Sequence, residues 1–129
     1  MKTPETCRFT KEHEWAILEG EKVRVGITDY AQKELGDVVF VELPVVGKAV
    51  AKGKACSSVE SVKAVSDIYA PLDGTIIQVN EKLSDNPELI NASPYLDGWI
   101  AIIEPKDKGQ FSSLLTAKDY DAFIAQISK

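Results

Sequence analysis

Through most of the chain, apolar residues either alternate with polar ones or run in short β-branched blocks. Turn-forming residues punctuate both patterns. Residues 15–18 and 23–27 flank Glu19-Gly20-Glu21, which predicts a hairpin. The run Val38-Val39-Phe40-Val41-Glu42-Leu43 predicts a strand that stops at Pro44. Val46-Gly47 and Lys52-Gly53 are turn candidates, with strands expected over 55–61 and 64–69. Pro71-Leu72-Asp73-Gly74 reads as a turn, because Pro presets φ and Gly accepts φ > 0. A strand over 75–80 follows, and after the Asp97-Gly98 turn another spans 99–104.

Two helices bracket these strands. Thr28 or Asp29 is placed to cap a helix over 30–35 that Gly36 ends. Near the C-terminus, Thr116 and Asp119 resemble a capping box with Asp in the acid's place. Tyr120, Phe123, Ile124 and Ile127 then recur at helical spacing, giving one apolar stripe whose expected role is packing against the β core. The segment GDVVFVEL at 36–43 is echoed by GTIIQVNE at 74–81, an offset of 74 − 36 = 38. Two similar β units suggest a pseudo-symmetric sandwich or flattened barrel. The predicted fold is therefore mainly β, with a short helix in the N-terminal half and a C-terminal helix.

Composition narrows the function classes. The chain has 129 residues, 44% of them hydrophobic and 27% charged, which suits one domain with an ordinary core. The expected domain spans residues 1–129, with its core at about 9–105 and the C-terminal helical segment at about 112–128. Net charge is −5, and the lysines are dispersed among acids, so neither nucleic acid nor an anionic membrane is an expected partner. The two cysteines, Cys7 and Cys56, form no CxxC and are expected to be reduced. The N-terminal residues have no apolar stretch of signal-peptide length, and no run reaches the ~20 residues of a membrane helix. A cytoplasmic monomer is the expectation. An enzyme in its own right finds little support, since there is no phosphate loop, dinucleotide fingerprint, Cys–His pair or Ser–His–Asp set.

Between the two β units lies Glu60-Ser61-Val62-Lys63-Ala64. No Gly, Pro or Asn marks a turn there, yet strand-like sequence runs on both sides. A tight reversal at Val62-Lys63 joins the halves most simply and presents the Lys63 amine at an exposed tip.

Several blocks together resemble the glycine cleavage system H proteins, a family of the biotinyl/lipoyl (barrel-sandwich hybrid) type. They are KEHEW at 11–15, VGITDYAQ at 25–32, LGDVVFVELP at 35–44, VESVKAVSDIYAP at 59–71, DGTIIQVN at 73–80 and LINASPYLDGWI at 89–100. Biotin carriers usually centre on Met-Lys-Met, and acyltransferase lipoyl domains on Asp-Lys-Ala; the ESVKA block matches neither as well. The resemblance implies lipoic acid amide-linked to Lys63 in a noncatalytic carrier. It implies that Glu60 and Gly74 are read by lipoate-attaching enzymes, and that Glu14 and Asp67 lie near the resting place of the loaded arm. Position 12 departs from some relatives, which have a small hydroxyl residue where this chain has Glu12. The implied partners are a pyridoxal-phosphate glycine decarboxylase, a folate-dependent aminomethyltransferase and dihydrolipoamide dehydrogenase. An alternative with the same lysine is a lipoyl donor in the lipoylation of 2-oxoacid dehydrogenases.

Overall fold

The computed structural model describes residues 3–128. Its strands are β1 (Arg8–Phe9), β2 (Glu14–Glu19), β3 (Lys22–Ile27), β4 (Val38–Glu42), β5 (Ala49–Val50), β6 (Ala55–Ser61), β7 (Val65–Tyr69), β8 (Gly74–Val79) and β9 (Ala101–Pro105). Its helices are α1 (Asp29–Leu35), α2 (Lys82–Asp85), α3 (Leu89–Ala92), α4 (Gly109–Ser112) and α5 (Ala117–Ile127). The strands form two antiparallel sheets that do not close into a barrel. One has six strands in the order β1-β2-β3-β9-β8-β5, and the other has three, β4-β6-β7.

The predicted first hairpin forms as β2 and β3, paired from Glu14↔Ile27 to Glu19↔Lys22. Gly20 takes φ 63° in its two-residue connection, a conformation that costs glycine nothing. The main apolar cluster draws on both sheets: Val25, Ile27, Ile76 and Ile103 from the larger, and Val38, Val41, Val59 and Ile68 from the smaller.

The sequence echo becomes a structural one. Its halves form β4 and β8, one in each sheet. Each strand bulges at the same echo position: the register shifts between Val38 and Phe40 in β4, and between Ile76 and Gln78 in β8. Since 77 − 39 = 38, the extra residue falls on Val39 and on Ile77. A bulge increases local twist, so both sheets bend at matched points.

Both predicted helices are present. The Thr28 hydroxyl accepts the Ala31 N–H and so caps α1, leaving Asp29 as its first helical residue; Gly36 ends it with φ 80°. The Thr116 hydroxyl accepts the Asp119 N–H at the start of α5. Of the α5 stripe, Tyr120 is buried and stacks on Phe9 with ring centroids 4.7 Å apart; Phe123 and Ile124 pack beside them. Ile127 remains 43% exposed, beyond the reach of that second cluster. The short helices α2, α3 and α4 were not expected from the sequence. Each has four residues, too few to show an amphipathic period.

Candidate functional site

The 60–65 segment folds as the reversal that strand connectivity demanded. The Ser61 N–H donates to the Ala64 carbonyl at 2.7 Å. The Ser61 hydroxyl accepts the N–H groups of Lys63 (3.3 Å) and Ala64 (3.1 Å). A side-chain oxygen thus does what a glycine-rich turn does elsewhere, satisfying the backbone while the chain turns. Lys63 is exposed at the tip, between the exposed residues Val62 and Ala64.

The tip is tied to a second segment. The Val62 N–H donates to the Asp37 carbonyl at 3.0 Å. The methylene chain of Lys63 runs past Gly36, its Cε 3.6 Å from where a Cβ would stand on that glycine. Asn91 of α3 fixes this ground: its amide donates to the Gly36 carbonyl and accepts the Val38 N–H, both at 2.9 Å. Neither Ser61 nor Asn91 stood out in the sequence. Ser61 carries a local side chain-to-backbone signal, but the Asn91 contacts span more than 50 residues and leave no local trace.

Beside this ground lies an open cavity of about 320 Å³. Tyr30, Ala31, Glu34 and Leu35 of α1 form one wall, Ser66 and Ile68 of β7 another, and Glu12 and His13 the end. From Gly36 back to Tyr30 the helix advances about 9 Å, so one wall runs from the Lys63 stem along the cavity. His13 holds φ 70°, a conformation uncommon for a non-glycine residue. Its Nδ1 lies 2.9 Å from the Tyr120 hydroxyl, which lies 2.7 Å from the Thr28 hydroxyl at the α1 cap. The Tyr30 ring packs on the imidazole at a centroid distance of 4.7 Å. Burial lowers the His13 pKa, against the raising influence of Glu12 and Glu34.

Glu14 is buried at 2% exposure. The Thr10 hydroxyl donates to Oε1 at 2.5 Å, and the Tyr69 N–H donates to Oε2 at 3.3 Å. Burial pushes this carboxyl up to about 7, although both hydrogen bonds pull it down. Among the described residues no Lys or Arg forms an ion pair with it. Glu14 is therefore a buried carboxyl poised between its neutral and charged forms, with no cation of its own. Nearby, burial first and then Glu14 push the Cys56 thiol up to about 11. Cys56 and Cys7 are both free thiols.

The other sequence candidates fall in three places. Glu60 stands on the outer face of the small sheet, cross-strand from Phe40 on one side and Val65 on the other. Asp67 shares that outer face, two residues further from the tip, in a row with Ser58 and Glu42. Strand alternation separates Asp67 from its neighbours Ser66 and Ile68, which line the cavity. Gly74 belongs to the other sheet, paired with Pro105 and Val50. It is not among the glycines with positive φ, so the turn does not require it for a left-handed conformation. What requires it is close approach: a Cβ there would sit 2.3 Å from the Glu104 carbonyl oxygen and 2.6 Å from Ile103 Cγ2.

Among the described residues no helix is long and apolar enough to cross a membrane. A family model described as glycine cleavage H-protein matches residues 7–127. The glycine cleavage system H protein of Geobacillus thermodenitrificans is 56% identical over 124 residues, 96% of this chain and 98% of that protein. The protein of that name from Bacillus subtilis is 50% identical over 121 residues, 94% of this chain and 95% of its own length. The crystal structure of a glycine cleavage system H protein from Mycobacterium marinum matches with a TM-score of 0.84 at 40% identity, covering 98% of this chain and 99% of that one.

Proposed function

The chain belongs to the glycine cleavage H-protein family, and from that premise we propose that it is a noncatalytic carrier with lipoic acid amide-linked to Lys63. The observation that carries this reading is Lys63 itself: an exposed lysine on a turn pinned by Ser61 and Asp37. To form the amide, the unprotonated Nζ attacks the carbon of an activated lipoyl carboxyl. The activating group leaves with its bonding electrons, and the nitrogen's extra proton passes to solvent. A free lysine amine is charged at neutral pH, so the amide also removes a charge that would hold the arm in water.

When attached, the dithiolane would supply the group-transfer and redox chemistry: one sulfur would carry the aminomethyl group from the decarboxylase to the folate-dependent aminomethyltransferase, and dihydrolipoamide dehydrogenase would reoxidise the resulting dithiol. The chain's own residues hold and shelter the arm. The pinned tip keeps its root in one place, which raises the effective concentration of the free end at each partner. The cavity beside α1 lies within reach of an arm rooted on Lys63, and the apolar Leu35 and Ile68 in its walls limit water near a bound group. Glu14, charged in the presence of an ammonium, is the carboxyl suited to the loaded arm. Asp67 serves an arm lying along the outer edge of β7, about 13 Å from the attachment point. Glu60 and Gly74 are read by the lipoate-attaching enzymes, Glu60 directly from the outer face beside the tip. The carrier works as a monomer in the cytoplasm.

The test is intact-protein mass with peptide mapping on protein from cells supplied with lipoate. One lipoyl group on the peptide containing Lys63, lost in Lys63→Arg, supports the reading. An unmodified Lys63 in cells whose other lipoyl proteins are fully modified overturns it.

A further inference from the structure

A surface sheet next to an exposed lysine would ordinarily be polar. Here it is not. Phe40 is 54% exposed, Val62 70% and Val65 65%. Pairing brings them together: Phe40 lies opposite Glu60, and Glu60 lies opposite Val65, so one row of the outer face reads Phe40-Glu60-Val65 across all three strands. Val62 adjoins it at the turn. The next outward row is Glu42-Ser58-Asp67. Among the described residues no cation pairs with Glu60, Glu42 or Asp67. The face is thus an apolar strip with one carboxylate in its middle and two behind it, none of them in an ion pair among the described residues. The strip lies outside the core, to which the inner face of the same strands supplies Val38, Val41, Val59 and Ile68.

We infer that the outer face of β4-β6-β7 is the docking surface for the enzyme that acylates Lys63, and that Phe40 and Val65 are its apolar anchors. The inference rests on the carrier reading above. Reach selects this partner over those that visit later. The acylating enzyme must bring its activated carboxyl to Nζ, which extends only a lysine's length from the turn. Its surface therefore abuts whatever flanks Lys63, and on this side that is the Phe40-Glu60-Val65 row. Later partners meet sulfurs at the end of a longer arm and need not touch the strip. Charge gives the complement: a partner with an apolar patch rimmed by Lys or Arg to meet Glu60 and the two carboxylates behind it.

The test measures acylation of the full unmodified chain by a purified ATP-dependent lipoate-attaching enzyme, following initial rates by intact mass. Phe40→Ser and Val65→Thr are substitutions at exposed positions, and thermal melts check that each folds. Each is expected to raise KM by about fivefold with kcat within about twofold, and the double variant to lower kcat/KM by about tenfold or more. Leu18→Ser and Val46→Thr remove exposed apolar side chains elsewhere and should leave both constants unchanged. Raising the salt concentration should weaken the wild type more than Glu60→Gln. If the wild type is acylated on Lys63 and folded Phe40 and Val65 variants match it within about twofold, the docking surface is overturned and the carrier reading stands. If the wild type is not acylated on Lys63, the carrier reading falls and takes this inference with it.

Discussion

Lys63 and Gly36, 27 positions apart in the chain, are in van der Waals register: the lysine Cε lies 3.6 Å from the place a Cβ on Gly36 would take. Gly36 also holds φ 80° as it ends α1. A side chain there meets a left-handed backbone, and its methyl group would come into ordinary contact with the lysine stem. Gly36→Ala should lower stability by about 1 kcal/mol, read from urea unfolding, chiefly through the backbone. It should also slow acylation of Lys63. Stability lost with acylation unchanged would mean that the stem moves aside freely.

Ser61 closes the turn with one oxygen. In Ser61→Ala the N–H groups of Lys63 and Ala64 lose their side-chain acceptor. Because both lie at the surface, water replaces most of the bond, and the stability cost should stay near 1 kcal/mol. The sharper readout is local: amide exchange at Lys63 and Ala64 should accelerate while the β2-β3 ladder is unaffected. Acceleration across both would point to a wider role for Ser61 than holding the turn.

Gly74 is a packing glycine. A methyl group on it would press into the Glu104 carbonyl at 2.3 Å, and backbone cannot swing away as a flexible side chain can. Gly74→Ala should therefore destabilise by about 2 kcal/mol or more, lowering the thermal midpoint, whether or not a lipoate-attaching enzyme ever sees this position. Unchanged stability in Gly74→Ala would show that β8 and β9 can part. Any acylation defect would then report recognition alone.

Which of these features could be read beforehand follows from their range. The strands alternate, and alternation is local, so the β2-β3 hairpin and the course of β4, β6 and β8 were legible. So were the Thr28 and Thr116 caps, which act within three residues. The reversal at Lys63 was placed by connectivity alone, since its holding groups are a serine hydroxyl and a carbonyl from another strand's approach. At Gly74 the turn sequence predicts φ > 0, whereas the structure needs glycine there because of a neighbouring strand 30 residues on. The cavity was not legible from residue pattern, because its walls come from three separated segments. The expectation that Lys63 carries the arm came from resemblance over nearly the whole chain; one exposed lysine among many carries no signal of its own.

The buried carboxyl of Glu14 makes stability depend on pH in a definite direction. Its pKa is about 7 in the folded chain against an ordinary 4.5, so between those values the folded state holds more protons than the unfolded one. Stability from this group is then fully present below about 4.5, falls as pH rises toward 7, and levels off above it. The full span amounts to about 3 kcal/mol at most, since relaxation around a buried charge reduces it. Urea midpoints from pH 4.5 to 8 should decline more steeply in the wild type than in Glu14→Gln, which has no proton to lose. Parallel declines would place the pH dependence in other groups. The same proton bears on the proposed arm. An ammonium brought beside Glu14 would ionise it and form a charge-assisted hydrogen bond in a site that otherwise lacks a cation. Glu14→Ala should therefore release the aminomethyl group to water faster than the wild type. The measurement is formaldehyde appearance from the loaded chain after partners are removed, and equal rates in the two proteins would remove Glu14 from any role in sheltering the arm.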